Sequence, residues 1–402
     1  MTEVIEKTEN KKGYKKTKLG WIPEDWINTY IGKYVDFIGG SQPPKSMFKY
    51  QPEKGYIRLL QIRDYKTDDY ATYIPEQFAQ KTCNSQDVMI GRYGPPIFQI
   101  LRGLNGAYNV ALMKAIPNEK FILKDFLFYV LQKEPLFRLI DRLSARSCGQ
   151  TGIDIDALNS YPLLLPSIIE QKRIVETIKL WELAIETLEK LIEQKEVLKN
   201  SLAQKYFHRK NNLFSLKQYK LGELFKNRKE TNCCDLELLS VCDGLGIVPR
   251  SQLNAKDNSN EDKSKYLKVC VGDLAYNTMR MWQGRCGVSS YEGIVSPAYT
   301  VCIPKDNIDV DYMYYLFKTP HMIHDFWRYS QGIVDDTLNL KFNNFEVIKV
   351  WIPDKETQTK IAKLLKSYDE EIQILNSKLE KLKEQKKGLM QKLLTGQIRV
   401  KV

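Results

Sequence analysis

Within ten positions the chain sets Tyr276, Asn277, Arg280, Trp282, Gln283 and Arg285. The set combines two guanidinium forks, two carboxamides that donate and accept, a phenol and an indole face. Such groups hydrogen-bond to base edges and stack on bases, which is the chemistry of reading nucleic acid rather than of breaking bonds. The first half offers a looser set in or beside β-rich runs that end in loops: Arg58, Gln61, Arg63, Arg92, Tyr93 and Arg102. Lys45, Lys49, Lys256, Lys263 and Lys265 are loop candidates for phosphate contacts, which position a complex without reading it. Each has a plainer reading. Arg58 serves equally in a surface ion pair, Trp282 and Tyr299 in a core, and Gly94, Gly284 and Gly287 in turns.

The charge balance points the same way. Lys and Arg number 61 against 49 Asp and Glu, a net charge of +12. A positive excess spread over 402 residues suits a polyanionic partner, although solvated lysines alone produce the same count. Catalytic motifs are missing. There is no G-x4-G-K-[ST] loop, no G-x-G-x-x-G (Gly244-Leu245-Gly246 is too short), no G-x-S-x-G, and no Asn-Pro-Pro-aromatic tetrapeptide of an amino-methyltransferase. Pro95-Pro96 follows Gly94, the wrong context for the last. Three histidines and eight cysteines with no C-x2-C pair make a structural zinc site an unpromising reading, and no metal is expected. The cysteines (Cys83, Cys148, Cys233, Cys234, Cys242, Cys270, Cys286, Cys302) read as small buried hydrophobes in a reducing compartment. The start, Thr2 to Lys18, is polar and lacks an apolar h-region, so no signal peptide is expected. No apolar run reaches about 18 residues, so no membrane span is expected, and the expected location is cytoplasmic.

The elements that must position these side chains occur twice. Gln171 and Gln358, Ile174 and Ile361, and Leu202 and Leu389 are each 187 residues apart. Strand-like runs at Tyr56–Ile62, Asp87–Tyr93 and Tyr108–Ile116 precede a helical run at Lys124–Leu143. Those at Leu236–Val241, Leu267–Tyr276 and Ala298–Ile303 precede one at Val310–Tyr329. Each half then closes on a long helix. In the first, Ile174, Ile178, Trp181, Ile185, Leu188 and Ile192 step by 4 and 3; in the second, Ile361, Leu365, Tyr368, Ile372, Leu375, Leu379 and Leu382 do the same. This 3.5-residue period is the seam of a coiled coil. Helices so long outrun a domain of about 140 residues, so the expected packing is antiparallel, helix on helix, rather than each helix on its own domain. Trp181 and Tyr368 hold matched seam positions, for which core packing is the plainer reading and partner contact the sharper one. By circular symmetry the tail, with Arg399 and Lys401, is expected to meet the region Trp21–Trp26.

At these residues the chain resembles the specificity subunit of type I restriction-modification systems. The resemblance rests on Leu19-Gly20-Trp21-Ile22-Pro23-Glu24-Asp25-Trp26 at the start and on Leu165-Pro166 through Gln171-Lys172-Arg173-Ile174 in the middle. It rests also on Gly388 through Val400 at the end, and on Gly272-Asp273-Leu274-Ala275-Tyr276-Asn277 with Trp282-Gln283-Gly284 and Gly293 through Tyr299. The matching stretch of the first half, Asp87–Tyr93 and Tyr108–Leu112, follows the pattern loosely, so the halves are expected to read different sequences.

The resemblance implies a mixed α+β fold: two α/β target recognition domains joined by two long antiparallel coiled-coil helices in a pseudo-twofold repeat. Its expected segments are a flexible basic N-terminus (1–18), a first recognition domain (19–166), a central helix (167–210), a second recognition domain (211–353) and a C-terminal helix (354–402). It implies a non-catalytic subunit that reads a split, asymmetric site in double-stranded DNA and docks two adenine-N6 methyltransferase subunits on its helices, with restriction-translocase subunits in a complete system. S-adenosylmethionine, ATP and Mg would then reside on those partners and no cofactor on this chain. A fused methyltransferase or nuclease would need a cofactor motif. A coiled-coil interaction protein would not need two α/β domains, and an orphan methylation pair lacking the motor-nuclease remains a variant of the first reading.

Overall fold

The computed structural model describes residues 12–144, 152–208, 213–242, 246–253, 259–334 and 337–401. Cys148, Lys256 and Gly244-Leu245 lie outside the described residues. Two compact units emerge, one of Met1–Thr187 with Leu379–Val402, the other of Leu188–Lys378. Their boundaries fall inside the two long helices.

The first unit is built on an antiparallel sheet of β1 (Val35–Gly39), β2 (Val88–Gly91), β3 (Gln99–Leu101) and β4 (Leu112–Pro117), in the order β1-β4-β2-β3. A second sheet aligns Tyr73–Pro75, Tyr56–Leu60, Gly106–Tyr108 and Thr82–Cys83, with Ala107 paired in parallel to Leu59. Helices α1 (Lys124–Leu131) and α2 (Glu134–Ser144) cover the core formed by Val88, Ile90, Phe126, Leu136 and Ile140. The second unit repeats the plan with β5 (Phe225–Arg228), β6 (Leu274–Asn277), β7 (Cys286–Val288) and β8 (Tyr299–Pro304), in the order β5-β8-β6-β7, and with α3 (Val310–Phe317) and α4 (Pro320–Tyr329). Its core gathers Phe225, Tyr276, Tyr312, Phe317, Phe326 and Phe345.

Several expected runs are interrupted, each for a local reason. The Leu267–Tyr276 run is two strands, because Gly272 (φ +86°) turns the chain between Leu267–Val269 and β6. The Tyr108–Ile116 run is likewise split at Asn109, whose carboxamide oxygen accepts the Ala111 N–H. Each expected helix of about 20 residues is a pair. Pro320 opens α4 and holds Thr319 extended (ψ 147°), since the proline ring excludes helical geometry in the residue before it. Pro135 takes the second position of α2. The lead-in is also more ordered than expected of a flexible terminus: Tyr14–Thr17 pairs with Gly20–Pro23 as a hairpin.

The long helices run from Ile168 to Phe207 (the central helix) and from Lys355 to Leu394 (the closing helix). Ser167 caps the first by accepting the Glu170 N–H, and Asp354 caps the second by accepting the Thr357 N–H. The cap N–H groups hold the Asp354 carboxyl below the usual carboxylate range. Seam residues Ile174, Ile178, Leu188, Ile361, Leu365 and Ile372 are buried, while Trp181, Ile185, Tyr368 and Leu375 are half-buried. In the second unit Lys195 pairs with Glu371 at 2.8 Å and Lys199 with Asp369 at 2.6 Å. One number rises as the other falls, so the paired segments are antiparallel there. In the first unit Lys386 pairs with Glu182 at 2.7 Å on the same register.

The repeat reaches into hydrogen bonding. Gln171 is fully buried; its Oε1 accepts the Leu123 N–H at 2.9 Å, and its Nε2 donates to the Phe121 and Pro166 carbonyls. Gln358 does the same for the Asp309 N–H and the Pro353 carbonyl. Tyr129 donates to Glu182 as Tyr315 does to Asp369, and Lys179 reaches Asp125 as Lys366 reaches Asp311. The matched sequence motif is thus a set of matched polar anchors, each tying a folded unit to its long helix.

Cysteine burial is more varied than expected. Cys83, Cys286 and Cys302 are buried, Cys233, Cys242 and Cys270 are partly exposed, and Cys234 is exposed.

Candidate nucleic-acid interface

In each unit a hairpin loop rises from the same pair of strands. In the first unit β2 and β3 pair through Met89–Leu101 and Gly91–Gln99, and residues 92–98 connect them. In the second, β6 and β7 pair through Leu274–Val288 and Tyr276–Cys286, and residues 278–285 connect them. Val88 and Leu274 are 186 residues apart and Gln99 and Cys286 are 187 apart, so the loops are counterparts.

The second loop is pinned at its base and open at its tip. Asn277 accepts the Met279 N–H through Oδ1 and donates its own N–H to the Arg285 carbonyl. The Trp282 indole N–H donates to the Met279 carbonyl at 3.0 Å, and Thr278 donates to the Ala298 carbonyl. Met281 is fully buried beneath the tip. Gly284 closes the short helix Met281–Gln283 at φ +75°, where a Cβ would stand 3.3 Å from Ile323. That combination of left-handed backbone and close approach leaves little room for any other residue. Arg280, Gln283 and Arg285 remain exposed, and Met279 beside them is 44% exposed.

Tyr276 departs from the expected set. It is fully buried and stacked on Phe345 at 5.2 Å. Strand alternation is the reason, because Tyr276 occupies a core-facing position of β6 two residues before the loop begins. Burial drives its phenol well above the ordinary value. Asn277 and Trp282 sit at the loop with their polar side-chain groups engaged in holding its shape, so they act first as loop builders.

The first loop presents Tyr93 beside Arg92, whose guanidinium lies 5.4 Å over the Tyr93 ring and donates to the Val110 carbonyl. Gly94 (φ +93°) follows, and residues 93–96 are exposed. The other candidates of this half do not join them in one cluster. Arg58 forms the ion pair that the plainer reading assigned to it, 2.7 Å from Asp68, with the buried Asp64 at 3.4 Å. Arg102 pairs with Asp125 and lies 4.8 Å over the Phe128 ring, a framework role. Gln61 spends its amide on Thr72 and its backbone N–H on Asp64. Arg63 is exposed, with its guanidinium 5.3 Å over the ring of Tyr70, which is itself 60% exposed. Tyr70 stands outside the expected set; its sequence signal is an aromatic seven residues beyond an arginine in an Asp-rich loop. Of the lysines, Lys49 pairs with Glu53 and lies over Tyr56, whereas Lys45 and Lys265 are exposed.

Among the described residues no three His, Cys, Asp or Glu side chains gather as a metal-holding group, and no helix is long and apolar enough to cross a membrane. The exposed features of both loops are hydrogen-bond donors and aromatic faces.

Comparison with known proteins identifies this architecture. Residues 217–384 match the type I restriction modification DNA specificity domain. The type I restriction enzyme MjaVIII specificity subunit of Methanocaldococcus jannaschii is 23% identical over 411 residues, covering 94% of both chains. The HsdS subunit of Thermoanaerobacter tengcongensis superposes with a TM-score of 0.52 at 16% identity, covering 94% of this chain and 98% of that one. The type I restriction-modification S subunit from M. genitalium gives 0.56 at 14% identity, covering 92% and 96%. The two-unit fold, with one hairpin loop in each unit, is therefore shared with these solved S subunits. Residues 217–384 thus carry the family's DNA specificity domain, and the chain is similar along nearly its whole length to specificity subunits of type I restriction enzymes.

Proposed function

We propose that this chain reads a bipartite, asymmetric site in double-stranded DNA, one half-site per unit, through the loops 92–98 and 278–285. The observation that carries the reading is that one hairpin loop rises from equivalent strands of two repeated units with different side chains, the half-buried Arg92 and exposed Tyr93 in one and the exposed Arg280, Gln283 and Arg285 in the other. Repeated placement supplies two readers, and unlike side chains supply two unlike half-sites. The long helices serve as spacer and docking seam for two adenine-N6 methyltransferase subunits, with restriction-translocase subunits added in a complete system. S-adenosylmethionine, ATP and Mg belong to those partners. The absence of a cofactor motif in the sequence supports that division of labour.

The test is a methylome. N6-methyladenine is mapped in cells carrying this gene with its partner methyltransferase and in cells with the gene deleted. The expected result is loss of one split motif, two short half-sites around an unread spacer. Unchanged methylation with the partner expressed would remove the DNA-reading role. Within the second loop, Arg280→Ala is expected to change preference among second half-sites by about 1–3 kcal/mol while leaving the first half-site unaltered. Lys265→Ala, a phosphate contact, is expected to weaken all sequences about equally and to reduce the salt dependence of binding. A uniform loss with Arg280→Ala, measured by competition binding against half-site variants, would take Arg280 out of the reading set.

A further inference from the structure

The first unit contains a recess of about 290 Å3 whose lining includes no residue of the 92–98 loop. Its apolar wall is formed by Leu164, Met390 and Leu394, with Leu19 at the mouth. Lys133, in the link between α1 and α2, faces it with its ammonium 5.9 Å from the Tyr161 ring. Among the described residues no carboxylate pairs with this ammonium. Glu134 also lines the recess, but it is engaged by Arg138 at 2.9 Å and Lys387 at 3.8 Å.

The repeat supplies an internal control. The counterpart in the second unit is lined by Phe207, His208, His321 and Trp351 where the first has Leu394, Thr395, Pro135 and Leu164, and its volume is about 10 Å3. Lys133 is replaced there by Thr319, whose hydroxyl is satisfied by the Leu316 carbonyl. One copy of the fold is thus plugged by aromatic side chains. The other is open and carries a cation with no carboxylate partner among the described residues.

We propose that this recess binds a small amphipathic anion, a carboxylate bearing a short apolar chain, with Lys133 taking the headgroup and the wall of Leu164, Met390 and Leu394 taking the tail. The volume sits at the lower edge of the roughly 300–1,000 Å3 typical of small-molecule sites, which limits the tail to a medium length. Two ammonium groups line the recess, and Lys387 already faces Glu134 at 3.8 Å; the one left for a headgroup, Lys133, suits a carboxylate better than a phosphate, which calls for several donors. Burial lowers the basicity of Lys133, and a bound carboxylate would reverse that. The charged form is therefore penalised in the folded chain. That cost is complete below the folded pKa and fades as pH rises toward the unfolded value.

The probe is octanoate, titrated calorimetrically into the full chain, with octylamine and octanol as controls. The expected result is one octanoate per chain and no octylamine, with affinity falling as pH rises through the titration of Lys133. Lys133→Met is expected to weaken octanoate at least tenfold. It should also raise the thermal midpoint by about 2 °C at neutral pH, a gain that shrinks in alkali. Leu164→Trp, which copies the plug of the second unit, is expected to abolish binding while the chain stays folded by circular dichroism. The proposal is overturned if octanoate fails to bind, if octanol binds as well as octanoate, or if neither substitution changes octanoate affinity. It is also overturned if binding to the free chain is lost once the methyltransferase is assembled on it, which would assign the recess to a partner side chain.

Discussion

Arg399→Met is expected to destabilise the first unit by about 3 kcal/mol. Arg399 donates to both carboxylate oxygens of Asp25, at 3.0 and 2.8 Å, and to both of Glu170, at 3.0 and 2.7 Å. The Glu170 side chain is 1% exposed and also accepts the indole N–H of the buried Trp26 at 3.0 Å. Removing the guanidinium strands a buried carboxylate with one neutral donor, the situation in which breaking a buried pair costs most. The figure sits at the low end of such losses because Arg399 is 35% exposed and solvent already screens its pair with Asp25. Lysine is a poor substitute, since an ammonium does not present the planar fork that two carboxylates share here. Urea denaturation measures the effect. Glu170→Gln in the Arg399→Met background is expected to recover part of the loss, since the stranded charge is then gone. A loss below about 0.5 kcal/mol for Arg399→Met would show that the contact is ornamental. The same contact ties the C-terminal tail to the region of Trp26, as circular symmetry requires; Lys401 is exposed and takes no described part in it.

Gln171→Leu is expected to cost about 3 kcal/mol, and Gln358→Leu about 2 kcal/mol. Leucine fills nearly the same volume, so the loss is one of hydrogen bonding rather than of packing. At 171 it orphans the Leu123 N–H, which opens α1 without a side-chain cap, and the carbonyls of Phe121 and Pro166. At 358 only the Asp309 N–H and the Pro353 carbonyl are orphaned, and the Asp309 side chain still caps α3 by accepting the Tyr312 N–H. The order of the two effects is the test. The urea midpoint should fall further for Gln171→Leu at an unchanged slope, and the reverse order would show that the amides are not the anchors of their helices.

Features with a local cause were open to reading from residues alone. The seam of Ile174, Ile178, Ile361 and Leu365 follows from a 3.5-residue period, and the caps Ser167 and Asp354 from residue type beside the first helical turn. The glycine at 272 and the proline at 320 carried the breaks in the expected strand and helix. Those breaks were missed because apolar composition continues through both. Among the candidate readers, Arg280, Gln283 and Arg285 stand exposed on a loop, while Tyr276, a few positions away, is core. Composition cannot separate them, because exposure changes from buried to exposed within three residues at the end of a strand.

Sequence by itself determined the duplication, the two long helices with their apolar seams, the basic balance and the clustering of hydrogen-bonding side chains between β6 and β7. All of these depend on spacing along one chain. Tertiary structure decided which side chains stay available. Arg58 is claimed by Asp68 and Arg102 by Asp125, partners 10 and 23 residues away, whereas Arg92 remains beside Tyr93 at a loop. It also decided that one unit keeps an open recess where the other is filled. That difference arises from Trp351 and Phe207 in one unit against Leu164 and Leu394 in the other, side chains from distant segments whose combined volume has no expression along the chain.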